Sequence, residues 1–119
     1  MNRLHKRLRE NAASLLAPGE QIQAVIPAQL GQPGPQAAPV LHKMALIATD
    51  RRILVCEGAW FRRSTIRKVL VELPRDTQIG PAHGVYGYAF RPGNGTIPIW
   101  IPRQFYKDIA EADDQRIAT

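Results

Sequence analysis

The chain has one cysteine in 119 residues, Cys56, so it cannot form an internal disulfide. Cys56 stands in the apolar run Ile53-Leu54-Val55-Cys56, where a buried, inert thiol is expected rather than a reactive one. Cysteine poverty agrees with a reducing compartment. Aromatic residues make up only 7%, so a core has to be filled by Ile, Leu, Val and Ala. No apolar run approaches the roughly 20 residues needed to span a bilayer as a helix. After the basic N-terminus, the apolar stretch 12–17 is interrupted by Ser14 and is too short for a secretory signal. The expected location is the cytoplasm, reaching a membrane only from its periphery. An Arg-rich start with a single acidic residue leaves a transit peptide as the other reading.

Chemistry-bearing constellations are equally sparse. His5, His42 and His83 fall in separate segments without ligand spacing, so neither a metal nor a cofactor is expected. Ser14 and Ser64 have no local histidine to act as a base. The glycines at 84, 87, 93 and 95 lack the following Gly-Lys-Ser/Thr of a phosphate loop. The adjacent carboxylates Asp113 and Asp114 lie in a helical pattern near the C-terminus, where a solvated face is expected rather than acid–base work. The chain is therefore not expected to be an enzyme.

What is present fits one small domain. Hydrophobic residues reach 45%, enough for a core, and ten prolines with nine glycines imply many turns and short strands. Sixteen Lys and Arg against ten Asp and Glu give a formal charge of +6. That excess favours an acidic partner (anionic lipid, nucleic acid or an acidic protein face), or simply keeps a small domain soluble.

Leu4, Leu8, Ala12, Leu15 and Leu16 recur at helical spacing and predict an amphipathic helix over 2–17, with Arg3, His5, Lys6, Arg7 and Arg9 on its other side. Pro18-Gly19 ends it. Such a helix either lies on a membrane surface or packs on its own domain. Seven short strands are then expected, at 20–30, 40–48, 52–57, 64–73, 77–80, 85–91 and 96–101. Pro27 demands an edge or a bulge in the first. Residues 31–39 (GQPGPQAAP) read as a loop, and Thr49-Asp50-Arg51 as the turn of a hairpin. Val69, Val71 and Leu73 alternate as in a half-buried strand, and Asn94-Gly95 signals a tight hairpin turn. Phe105, Ile109 and Ala112 form the stripe of a closing helix over 103–118, started by Pro102.

Two motifs in this pattern resemble the bacterial pleckstrin-homology-like domains, relatives in shape of PH and GRAM domains. Leu16-Ala17-Pro18-Gly19-Glu20 is similar to their L-x-P-G-E opening. Leu46-Ile47-Ala48-Thr49-Asp50-Arg51-Arg52-Ile53-Leu54 resembles their Thr-Asp-x-Arg hairpin. The closing helix completes the likeness, which spans about residues 15–116. It implies a mainly β (α+β) fold, a bent barrel of seven antiparallel strands capped by the C-terminal helix. Residues 1–17 would be an added basic helix and 18–119 the domain. The long 31–39 loop and the N-terminal helix depart from the family plan. Its members bind lipid, peptide or protein, so the likeness leaves the partner open.

The best candidate binding group is basic and aromatic. Arg51 and Arg52 occupy one turn; Trp60, Phe61, Arg62 and Arg63 occupy the next, followed by Arg67 and Lys68. Alternate turns of a meander lie at opposite ends of a sheet, which separates the two groups. A tip with Trp and Phe beside two arginines can seat rings at a bilayer interface while guanidinium groups meet phosphates. It can also stack on single-stranded bases or anchor in a protein groove, or one ring can fold back onto the core. The expected function is a non-catalytic binding module at an anionic lipid surface or a membrane-proximal protein. Protein–protein contact or self-assembly is the alternative, and nucleic acid follows.

Overall fold

A computed structural model describes residues 3–30, 43–59, 65–92 and 98–118. Helix α1 (Arg3–Ala12) runs into a short 3-10 turn at Ala13–Leu15. Strands β1 (Ile22–Leu30), β2 (Lys43–Thr49), β3 (Arg52–Ala59) and β4 (Thr65–Pro74) follow, then β5 (Gly87–Phe90) and β6 (Ile99–Pro102). Helix α2 (Tyr106–Ala118) closes the chain after a 3-10 turn at Arg103–Phe105. Antiparallel pairing arranges the strands in the order β4-β3-β2-β1-β6-β5.

The period-two alternation of the strands supplies two separate buried layers. Ala24, Ile26 and Ala28 of β1, Met44, Leu46 and Ala48 of β2, and Ile53 and Val55 of β3 share one layer with Phe105, Ile109 and Ala112. That is where the helical stripe read from the sequence goes. Fully burying a Phe or Ile side chain is worth about 1.5–3 kcal/mol, so this stripe fastens α2. The intervening residues Val25, Ala45, Ile47, Leu54 and Cys56 form the second layer, covered by Leu8 and Ala12 of α1. The amphipathic N-terminal helix thus spends its apolar face on its own sheet.

The sheet curls into a half-barrel. In strand order β4 lies three strands from β1, yet Arg75, just past β4, donates from Nε and Nη2 to Gln23 Oε1 of β1 at 3.0 and 2.7 Å. Its Nη2 also reaches the Ala112 carbonyl at 2.9 Å, tying α2 to the same corner. On the other side, His5 Nε2 of α1 lies 2.7 Å from Asp108 Oδ2 of α2, both buried.

Four expectations change. The described residues hold six strands, because Thr77–Gly80 is not one. The Ile79 and Gly80 N–H groups donate at 2.9 Å to the two carboxylate oxygens of Asp113 on α2, so a side chain replaces the ladder. Asp113 is therefore a structural acceptor rather than part of a solvated face. The strand expected at 85–91 begins only at Gly87, leaving Val85 and Tyr86 exposed at 68% and 84%. Finally, Val69 and Val71 are exposed rather than half-buried, because β4 forms an edge of the sheet. Pro27 lies inside the sheet, in a stretch that β2 pairs, two residues before the first β6 partner at Gln29. The 31–39 loop and the Asn94-Gly95 turn fall outside the described residues.

Candidate functional site

The two motifs that carry the family resemblance meet in space. Pro18 and Gly19 occupy the middle of a turn closed by the Glu20 N–H donating to the Ala17 carbonyl at 3.0 Å. Gly19 has φ +81°, the conformation this position of a type II turn requires. The turn delivers the buried Glu20 carboxylate to the β2–β3 hairpin. Arg52 donates from Nε to Oε2 and from Nη2 to Oε1, each at 2.9 Å. Thr49 Oγ1 donates to Oε2 at 2.6 Å, and the Ala17 N–H donates to Oε1 at 2.8 Å. Thr49 Oγ1 in turn accepts the N–H groups of Arg51 and Arg52 at 3.1 and 3.0 Å. Asp50 fixes the start of β1 by accepting the Gln21 N–H at 3.0 Å and returning its own N–H to the Gln21 carbonyl at 3.0 Å.

This is a clamp. Arg52 holds the Glu20 carboxyl down at about 2 against the opposing effect of burial, with Thr49 and the Ala17 N–H adding to it. Glu20 in turn raises the pKa of the Arg52 guanidinium. Arg52 also donates from Nη2 to the Leu15 carbonyl at 3.2 Å and lies 3.3 Å from Glu72 Oε1 through Nη1. Of the residues singled out in the sequence, Arg52 is therefore engaged by groups of its own chain. Arg51 beside it is exposed.

The opposite end of the sheet has a different character. The registers Gln29↔Lys43, Met44↔Glu57 and Glu57↔Lys68 place the ends of β1, β2, β3 and β4 together. Leu30↔Ile99 and Phe90↔Ile99 bring the ends of β5 and β6 to the same side. The connections 31–42, 60–64 and 91–98 all depart from this end. With the strand residues beside them, segments 31–43, 57–68 and 91–98 contain Lys43, Arg62, Arg63, Arg67, Lys68 and Arg91, against one carboxylate, Glu57. Arg67 and Lys68 are backbone members of β4, whereas Trp60, Phe61, Arg62 and Arg63 lie outside the described residues. The 49–52 turn sits at the far end, so Arg51 and Arg52 do not join this group. Burial pushes the pKa of the half-buried Lys43 ammonium down.

Lys43 and Arg91 were not singled out by the linear reading, because only strand pairing places them at the same end of the sheet as the start of β4. The exposed Val85-Tyr86 pair also escaped notice. Its signal was the flanking glycines, Gly84 and Gly87, which limit how early a strand can begin. Trp100 packs over Gly87, where a Cβ would come within 2.4 Å of its indole ring.

Among the described residues there is no cluster of three or more His, Cys, Asp or Glu able to hold a metal ion. No helix among them is long and apolar enough to cross a membrane. Comparisons with protein-family models, curated proteins and solved structures find no match to this chain.

Proposed function

We propose that this chain is a non-catalytic binding module that associates peripherally with an anionic membrane surface through the basic end of its sheet. Its scaffold is read as pleckstrin-homology-like. What supports the scaffold is the clamp between the two resemblance motifs, together with a curled antiparallel sheet closed by α2.

The observation that carries the functional reading is the gathering of six basic residues and one carboxylate where three connections leave the sheet. Each Lys or Arg near an anionic lipid surface contributes about 1 kcal/mol, an attraction screened by salt. Trp60 and Phe61 in the middle connection supply the ring chemistry favoured at the headgroup level. Arg62 and Arg63 beside them, with Arg67 and Lys68 on β4, supply the phosphate contacts.

Co-sedimentation with vesicles tests this reading. At low salt the protein binds phosphatidylserine-containing vesicles and leaves pure phosphatidylcholine vesicles alone. Joint replacement Trp60→Ala, Arg62→Ala and Arg63→Ala weakens binding roughly tenfold or more. No binding at low salt, or undiminished binding by the triple variant, overturns it. Self-assembly is a second reading, favoured by the apolar exposed edge of β4.

A further inference from the structure

Three elements meet at the first turn of α2. Tyr106 and Asp108 are two positions apart, so their side chains leave nearly opposite sides of the helix. Asp108 Oδ2 lies 2.7 Å from His5 Nε2 of α1. The Tyr106 hydroxyl lies 3.2 and 3.0 Å from the carbonyl oxygens of His83 and Gly84. Just ahead of the helix, the Arg103 N–H donates to the Tyr86 carbonyl at 3.0 Å. The His83 ring meets the Tyr88 ring edge-on, with centroids 5.2 Å apart. Gly84 has φ +113°, and a Cβ there would come within 2.4 Å of the Gly87 carbonyl oxygen, so this turn closes only around glycine. Segment 83–86 is thereby held in place, yet it presents Val85 and Tyr86, the two most exposed large apolar side chains among the described residues.

Cations surround this tip. Lys107 stands between Tyr106 and Asp108 and is exposed, as is Arg103. On α1, Arg3 and Lys6 lie within two residues of His5 and are exposed too. The carboxylate among them, Asp108, is buried against His5. Glu10 and Glu111 stand about a turn further along their helices, four residues past Lys6 and Lys107. The surface therefore repeats the chemistry of the basic end: apolar groups for the headgroup level, with guanidinium and ammonium groups for phosphates. It also faces the other way. Gly87 pairs Pro102 at one end of β5 and β6, and Phe90 pairs Ile99 at the other. Tyr86 and Arg103 extend beyond the first end, whereas connection 91–98 leaves from the second.

From this arrangement we infer that the surface formed by Arg3, Lys6, Val85, Tyr86, Arg103 and Lys107 meets a second anionic bilayer, so that one chain bridges two membranes. The inference rests on the lipid reading of the basic end and adds a second contact to it. A flat bilayer reaches one of two oppositely directed surfaces and leaves the other open to a second bilayer. Side chains exposed at 68% and 84% stand clear of the surface, as insertion between headgroups requires, rather than lining a groove. The tip is already ordered by its own contacts, so little conformational freedom is lost when it docks.

Light scattering from phosphatidylserine-containing vesicles at low salt tests the inference. Added protein should cluster the vesicles, and salt should disperse them. Val85→Ser with Tyr86→Ser, and separately Arg3→Glu with Lys6→Glu, should each still sediment with the vesicles while needing roughly tenfold more protein to cluster them. The two variants alter different elements, so a common loss reports the surface rather than damage to one loop. Binding without clustering, the result expected if this surface takes an acidic protein instead, overturns the inference and leaves the lipid reading standing. So does a variant of either kind that clusters vesicles as the wild type does. A dimer in sedimentation velocity without lipid would assign the bridging to two copies and likewise overturn it. Protein that does not bind these vesicles at all overturns both readings.

Discussion

Glu20 accepts both Nε and Nη2 of Arg52 at 2.9 Å, and this pair joins the turn before β1 to the hairpin between β2 and β3. Both carboxylate oxygens are fully used, with Thr49 Oγ1 and the Ala17 N–H as the remaining donors. Bidentate geometry and complete satisfaction are what let a buried charge pair hold a fold together.

The clamp gives stability a defined acid dependence. The carboxyl of Glu20 falls from an ordinary 4.5 to about 2 in the folded chain, chiefly through Arg52. A depressed native value means the stabilisation is complete above pH 4.5 and is lost as pH falls toward 2. Its size is about 3 kcal/mol. Urea titrations of the wild type and Glu20→Gln should differ most near neutrality and converge near the acid end of that window. A constant gap across the window would show that the charge is not what stabilises the clamp.

The contact between His5 and Asp108 fastens α1 to α2 across the sheet. A cycle of His5→Ala, Asp108→Ala and the double variant should give a coupling of about 1.5–3 kcal/mol at neutral pH. Hydrogen exchange should quicken in α1 when either residue is truncated. Additive effects on stability would mean that the two helices dock without this link.

Cys56 is buried in the layer beneath α1, and burial pushes its thiol up to about 11. Iodoacetamide at neutral pH should label it only as fast as the protein unfolds, and denaturant should restore ordinary reactivity. Prompt labelling of the folded chain would mean that α1 opens readily.

Gly87 is where the Trp100 ring lies against the backbone. Gly87→Ala places a methyl within 2.4 Å of ring atoms, so the indole has to move. The expected cost is about 1–3 kcal/mol, with a change in tryptophan emission. Unchanged stability and emission would contradict this packing.

Much of the frame was legible in the chain because its causes are local. The β2–β3 hairpin follows from two alternating apolar runs around a polar turn, and α2 from the spacing of Phe105, Ile109 and Ala112. The failures have distant causes. Thr77–Gly80 resembles a strand, but the Ile79 and Gly80 N–H groups bond to Asp113, more than thirty residues further on. Arg52 was read as a basic contact residue, whereas its partner Glu20 lies 32 residues earlier and is brought to it only by the fold. Val69 and Val71 alternate like half-buried residues, and only the strand order reveals that β4 is an edge. Lys43 and Arg91 became part of the basic end through register alone.

The central claim is that the 60–64 connection meets an anionic lipid surface. The chain has two tryptophans, Trp60 and Trp100, so Trp100→Phe leaves Trp60 as the sole indole reporter. Its emission should shift to the blue when phosphatidylserine-containing vesicles are added at low salt, and return as salt is raised. Emission that stays fixed with anionic vesicles at low salt, in a variant shown to be folded, would contradict the account.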